Sequence, residues 1–345
     1  MAHQILSDQL RRKPLELHEA ETQSFGGWDM QICPDTIVLS IKHQLQVASY
    51  ALRGLQNFSP TEQTLAMREI GLPTALARVD FTIDSEDNVY PYEVEERPSG
   101  LGVTRMINDQ VGGDFGQSIR GHLENTFGQM PIVKRLPEHR SDDEYLFGEN
   151  NVYVLERESG LLVVENRPTL VRAEPELVQD APNIAELQSQ SISTVLDKGR
   201  KDYRIATGHA RVIHGADELP SKDESFVIKN MQSSKTNGVK IWATPDERKN
   251  YGLGKSNSGV ATWSNIQRFA EENGQVMIER LEPGIRTLYN NHMGTTALRV
   301  VVKIFPDHTE VSDGCYMFRE SFNLHGARDT ITGVVLSPEK AAIYE

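Results

Sequence analysis

Apolar residues along this chain change their spacing several times, and each change marks a different element. Over Ile41–Leu55 (IKHQLQVASYALRGL) they recur every three to four positions, which predicts a helix. Thr61–Ile70 (TEQTLAMREI) reads as a second helix, with Thr61 placed to cap it. The period then drops to two. Arg78–Asp84 (RVDFTID) and Val89–Glu95 (VYPYEVE) alternate on either side of Ser85–Asn88, which predicts a hairpin. Residues 136–150 are acidic and polar and read as a linker before short strands at Asn151–Leu155 and Gly160–Glu165, and 173–190 reads as another polar connection. From Phe226 the chain becomes β-rich, with strands at Phe226–Lys229, Val239–Trp242, Val276–Arg280 and Leu298–Phe305 and a helix at Trp263–Asn273. Strands and helices that mix without a fixed period point to mixed α/β or α+β layers.

Composition narrows the function classes. The chain has 345 residues, of which 38% are hydrophobic and 25% charged, enough for about two domains or one large one. Its longest apolar runs, such as Leu161–Val164, fall far short of the ~20 residues of a membrane span. The start, MAHQILSDQLRRKPLELHE, carries charges where an export signal has its apolar stretch, so a cytoplasmic location is expected. Cys33 and Cys315 allow at most one bridge and exclude a multi-cysteine zinc site. The net charge of −13, with no basic cluster, disfavours nucleic acid as a partner and favours small molecules.

The hairpin is the first stretch with chemistry. If Asp80 faces Glu93 and Arg78 faces Glu95, those four share one face, while Val79, Phe81 and Ile83 with Tyr90, Tyr92 and Val94 fill the other. Carboxylates opposed across a sheet repel one another. A cation would offset that, and Mg²⁺ accepts a few carboxylates together with phosphate oxygens. An amphipathic hairpin with a solvated acidic face is the plain alternative.

The second such stretch is Val227-Ile228-Lys229, followed by the polar loop NMQSSKTN and Gly238-Val239. A lysine at a strand end beside a small-residue loop suits phosphate, although a surface hairpin has the same pattern. Gly252–Ser256 (GLGKS) is not a phosphate loop of the Walker type, because Lys249 stands where that motif needs glycine.

Together these segments resemble the ATP-grasp superfamily of carboxylate ligases. Glu93-Val94-Glu95-Glu96-Arg97-Pro98-Ser99-Gly100 is similar to its metal-binding strand and turn, with Glu95 where asparagine is usual. Val227-Ile228-Lys229 through Gly238-Val239 is similar to its lysine strand and glycine loop. Met277–Glu282 resembles the adenine-gripping linker, and Leu298–Val302 and Met317–Arg319 resemble its arginine-bearing strands. The metal half precedes the lysine half, so the chain resembles a circularly permuted ATP-grasp protein, like the synthetase part of glutathionylspermidine synthetase. The resemblance implies ATP held between two antiparallel β-layers, with Lys198, Lys229, Gly238, Glu279, Leu281 and Arg299 around the nucleotide. It implies Mg²⁺ on Asp80, Glu93 and Glu95, and Arg78 and Arg319 at the transferred phosphate. It divides the chain into an N-terminal helical and substrate segment (1–60), the metal half (61–135), inserted strands and linker (136–194) and the lysine and adenine half (195–345). The implied reaction is amide formation from a carboxylate and an amine, the acidic charge suiting a cationic amine. Phosphate transfer to another acceptor, or an inactive binding protein, remain the alternatives.

Overall fold

A computed structural model describes residues 4–6, 14–25, 28–56, 76–84, 86–95, 100–135, 140–154, 169–172, 210–230, 238–250, 260–282, 284–305, 307–322, 330–337 and 342–344. In chain order the elements are β1 (Gln4–Leu6), β2 (Leu15–Leu17), β3 (Glu21–Phe25), β4 (Trp28–Val38), α1 (Ile41–Gln56), β5 (Leu76–Ile83) and β6 (Val89–Glu95). Next come α2 (Leu101–Asp109), α3 (Phe115–Phe127), β7 (Ile132–Arg135), α4 (Arg140–Phe147), β8 (Val152–Val154), β9 (Thr169–Arg172) and β10 (Ala210–Ile213). The last part holds β11 (Phe226–Asn230), β12 (Val239–Trp242), α5 (Pro245–Asn250), α6 (Trp263–Asn273), β13 (Val276–Arg280), β14 (Ile285–Tyr289), β15 (His292–Ile304), β16 (His308–Arg319), β17 (Ile331–Leu336) and β18 (Ala342–Tyr344).

Among the described residues these strands form a large curled sheet of eleven, an antiparallel sheet of four in the order β10-β13-β11-β12, and a small sheet of β8, β7 and β9. The architecture is mixed α+β. The large sheet is not purely antiparallel, since β4 runs parallel to both β1 and β17, and β2 runs parallel to β14.

Side-chain alternation gives the large sheet two distinct faces. Val79, Phe81, Ile83, Val94, Leu298 and Tyr316 point to one side, where Val47, Ala48 and Ala51 of α1 close the main core. The i, i+4 spacing of those α1 positions is what made that helix legible. On the opposite face α2, α3 and α4 cover one end, burying Leu101, Phe115, Ile119, Leu146 and Phe147 against Leu76 and Val301. The four-stranded sheet buries Phe226, Ile228, Val276 and Ile278 against Ile266 and Ala270 of α6. Its other face carries Val227, Ile241 and Leu281, which pack with Phe322 from the segment after β16.

Several expectations need correction. Residues 4–38 supply four strands ahead of α1, so the start of the chain is not only helical. The stretch 136–150 holds α4, whose Asp143 is fully buried and whose Asp142 caps α2 by accepting from Gly100 N (2.9 Å) and Val103 N (2.9 Å). Buried carboxylates of this kind look like solvated linker to any composition-based reading. The expected helix Thr61–Ile70, strand Gly160–Glu165 and connection 173–190 lie outside the described residues. Cys33 and Cys315 are both buried and unbridged.

Candidate functional site

The hairpin β5–β6 opposes Asp80 to Glu93 and Arg78 to Glu95, as side-chain alternation predicts. The register then slips between Asp80 and Phe81: Phe81 pairs with Pro91, Thr82 with Tyr90 and Ile83 with Val89, leaving Tyr92 as the extra residue of a bulge. The slip comes from the turn. Asp84 N–H donates to Asn88 O (2.9 Å), the Asp84 carboxylate accepts from Glu86 N (2.9 Å) and Asn88 N (2.8 Å), and Asp87 takes a left-handed φ of 66°. The loop is thus closed one residue earlier than a four-residue turn would close it. In consequence Val89, not Tyr90, faces the core with Ile83, and Tyr90 moves to the polar face.

The displaced tyrosines join the two sheets. Tyr92 OH donates to the Glu282 carbonyl (2.7 Å) and Tyr90 OH to the Arg280 carbonyl (3.2 Å), both at the end of β13. Strict alternation along β6 predicts both rings in the core. A tyrosine pair two apart in a ribbon was the available signal, because a buried phenol needs a polar partner.

On this polar face three adjacent strands, β6, β5 and β15, carry a chain of charges. Arg78 is 2% exposed. It donates through Nε and Nη2 to Asp80 (2.7 and 3.1 Å), and its Nη1 lies 2.8 Å from Glu95 Oε2. From the other side Arg299 donates through Nε and Nη2 to the same Asp80 carboxylate (3.0 and 2.8 Å). Burial pushes the Asp80 carboxyl up, but Arg299 and Arg78 outweigh it and hold it at about 2. Burial pulls the Arg78 guanidinium down, and Asp80 and Glu95 more than restore it, so Arg78 stays charged.

Glu93 differs from its neighbours: it makes no hydrogen bond or ion pair with the described residues. Burial, with Glu95 and Asp80 beside it, pushes its carboxyl up to about 7 against the pull of Arg78 and Lys229. Lys229, whose charge lowers the Glu93 carboxyl, stands on β11 of the four-stranded sheet. There it is buried and ion-paired with Glu279 of β13, a diagonal neighbour in the β11–β13 register. Pairing Arg78 and Arg299 with Asp80 and Glu95, and Lys229 with Glu279, leaves Glu93 as the carboxylate of this group with no counter-charge of its own among the described residues.

Other sequence-derived positions distribute around this centre. Leu281 is buried, its N–H donating to Ser225 O (3.2 Å). Gly238 is buried one residue before β12. Arg319 ends β16 opposite Thr295, on the same face as Arg299 but four residues further along β15, a span of ~13 Å. Lys198, the loop 231–237 and Arg97-Pro98-Ser99 lie outside the described residues.

The three carboxylates do not fit a shared metal site as they stand. Both oxygens of Asp80 each accept from two guanidinium nitrogens, and Glu95 Oε2 meets Arg78. Among the described residues no group of three or more carboxylate, imidazole or thiol side chains is arranged to hold a cation. Among the same residues no helix is long and apolar enough to cross a membrane. No family model matches the chain, and no curated protein matches it.

Proposed function

We propose that this protein is an ATP-dependent carboxylate–amine ligase of the circularly permuted ATP-grasp kind, forming an amide through an acyl phosphate. The observation that carries this reading is the link that Tyr92 and Tyr90 make from the charged hairpin β5–β6 to the end of β13, the strand whose Glu279 pairs with Lys229. These hydrogen bonds bring the arginine- and carboxylate-bearing sheet and the lysine-bearing sheet together, an arrangement suited to a charged ligand.

In this reading adenine lies along Met277–Glu282, beside Glu279 and Leu281, and Lys229 and Gly238 take the phosphates, with Lys198 assigned to the adenine side. Lys229 must then leave Glu279 for the phosphates, exchanging one anionic partner for another. Arg299 and Arg319 face the charge that spreads over the transferred phosphoryl group. The substrate carboxylate attacks the γ-phosphorus and the bond to the bridging oxygen breaks, releasing ADP. An amine then attacks the acyl carbon, and phosphate leaves. Positioning and charge neutralisation supply most of the acceleration in such chemistry. Magnesium enters this scheme with the nucleotide rather than through a three-carboxylate protein site. The acidic net charge of −13 favours encounter with a cationic amine.

The test is ADP release from MgATP across panels of carboxylates and amines, with Lys229→Gln as control. A ligase needs both partners and yields free phosphate. A phosphotransferase would leave the phosphate on a single acceptor, and absence of nucleotide binding would remove the proposal.

A further inference from the structure

The structure assigns Asp80 and Arg78 a positioning role: they hold the Arg299 guanidinium as the group that meets the ligand's phosphates, and Asp80 is not a metal ligand. This rests on the nucleotide reading above and adds what the charge chain is for.

The geometry separates the two arginines sharply. Arg78 lies between Asp80 and Glu95 with its side chain 2% exposed, so its fork is spent within its own sheet. Arg299 grips Asp80 through Nε and Nη2 only, and its side chain is 14% exposed. Its remaining nitrogen, Nη1, has no partner among the described residues and lies beside Gly100, where a Cβ would stand 3.7 Å from it. Of these two, Arg299 is therefore the guanidinium with a donor nitrogen not engaged by the described residues.

Asp80 is the clamp. A planar carboxylate gripped from both sides by planar forks fixes the plane and direction of each. Arg299 sits directly opposite Asp80 in the β5–β15 register, so the grip needs no long reach. Arg78 balances the clamp from behind and ties it to Glu95 on β6. A cation could take Asp80 only by displacing a guanidinium from it, and displacing the part-exposed Arg299 would set a metal ion beside the buried Arg78. That outcome is electrostatically adverse, because breaking a buried pair strands an uncompensated charge.

The two roles for Asp80 predict opposite signs in one experiment. Binding of inorganic tripolyphosphate is measured calorimetrically in the presence of a chelator, to wild type, Asp80→Asn, Arg299→Gln and the double variant, with thermal unfolding recorded for each. Removing a carboxylate beside an anion site ordinarily tightens anion binding. If Asp80 positions Arg299, Asp80→Asn instead weakens metal-free tripolyphosphate binding by about tenfold, Arg299→Gln does so by a similar factor, and the double variant falls no further.

Unchanged or tighter metal-free binding in Asp80→Asn, with weakening only when Mg²⁺ is added, would overturn the assignment in favour of a metal ligand. If Asp80→Asn does not fold, the part-exposed Arg299→Gln carries the test: wild-type affinity for tripolyphosphate in a folded variant overturns the proposal. Wild type that binds MgATP but no metal-free tripolyphosphate also overturns it. Wild type that binds neither rejects the nucleotide reading itself, so the two failures are distinguishable.

Discussion

Asp80 and Arg299, 219 positions apart in the chain, face each other directly across β5 and β15 with Nε–Oδ1 at 3.0 Å and Nη2–Oδ2 at 2.8 Å. Arg78 grips the same carboxylate from the other side, so the stability of the sheet and the charge of its polar face depend on one shared group. The consequences separate by which member of the network is changed.

Truncating Arg78 should be costly for folding. Arg78→Met leaves Glu95 without its ion-pair partner and Asp80 with Arg299 alone in a buried setting, and a loss of about 3–5 kcal/mol is expected. Urea unfolding should show it, whereas Arg299→Gln, at a partly exposed position, should lose no more than about 2 kcal/mol.

Glu93 should make stability depend on pH. Its carboxyl is pushed from 4.5 in the unfolded chain up to about 7 in the fold, so the folded state binds its proton more tightly. That contribution is fully present below about 4.5 and is lost as pH rises through about 7, with a slope of at most about 1.4 kcal/mol per pH unit. Chemical unfolding between pH 5 and 8 should show a decline in wild type that Glu93→Gln flattens.

Two glycines should respond in opposite directions to alanine. A Cβ on Gly314 would sit 1.9 Å from the carbonyl oxygen of Arg299, forcing β16 away from β15 at the charged centre. Gly314→Ala should therefore destabilise by about 2–4 kcal/mol. Gly121 lies inside α3, where a Cβ meets nothing within 4 Å. Gly121→Ala should add about 0.5–1 kcal/mol, read from the same unfolding curves.

Tyr92→Phe removes one hydrogen bond between the sheets, to the Glu282 carbonyl at 2.7 Å. Global stability should fall by only about 1 kcal/mol. Nucleotide affinity should fall several-fold, because that bond anchors the segment assigned to adenine. Equal affinity in the two proteins would detach Tyr92 from the proposed nucleotide site.

The polar face of the hairpin was legible because Arg78, Asp80, Glu93 and Glu95 occupy alternating positions, and period two needs no tertiary information. The bulge at Tyr92 was not, since one inserted residue inverts every later position and its cause is the Asp84–Asn88 closure, a matter of backbone hydrogen bonds. Strand β4 escaped notice because Pro34 and Asp35 interrupt its alternation. Asp35 is nevertheless buried and bonded to His18 N (2.6 Å) and Nδ1 (2.8 Å), a partner that only the fold supplies. Lys229 and Glu279 were each readable as strand positions, but their diagonal pairing depends on the register of β11 with β13. The double grip on Asp80 was likewise invisible: sequence offered three carboxylates for a metal, and the register of β15 brought a second arginine to one of them.

On the proposed function, the charged faces of the two sheets make one nucleotide site. Calorimetric titration of MgATP into wild type and Lys229→Gln, with both proteins shown to be folded, tests it most directly. Saturable one-to-one binding by wild type, weakened tenfold or more in the variant, is the expected result. Identical titrations for the two proteins, or no binding by wild type, would contradict it.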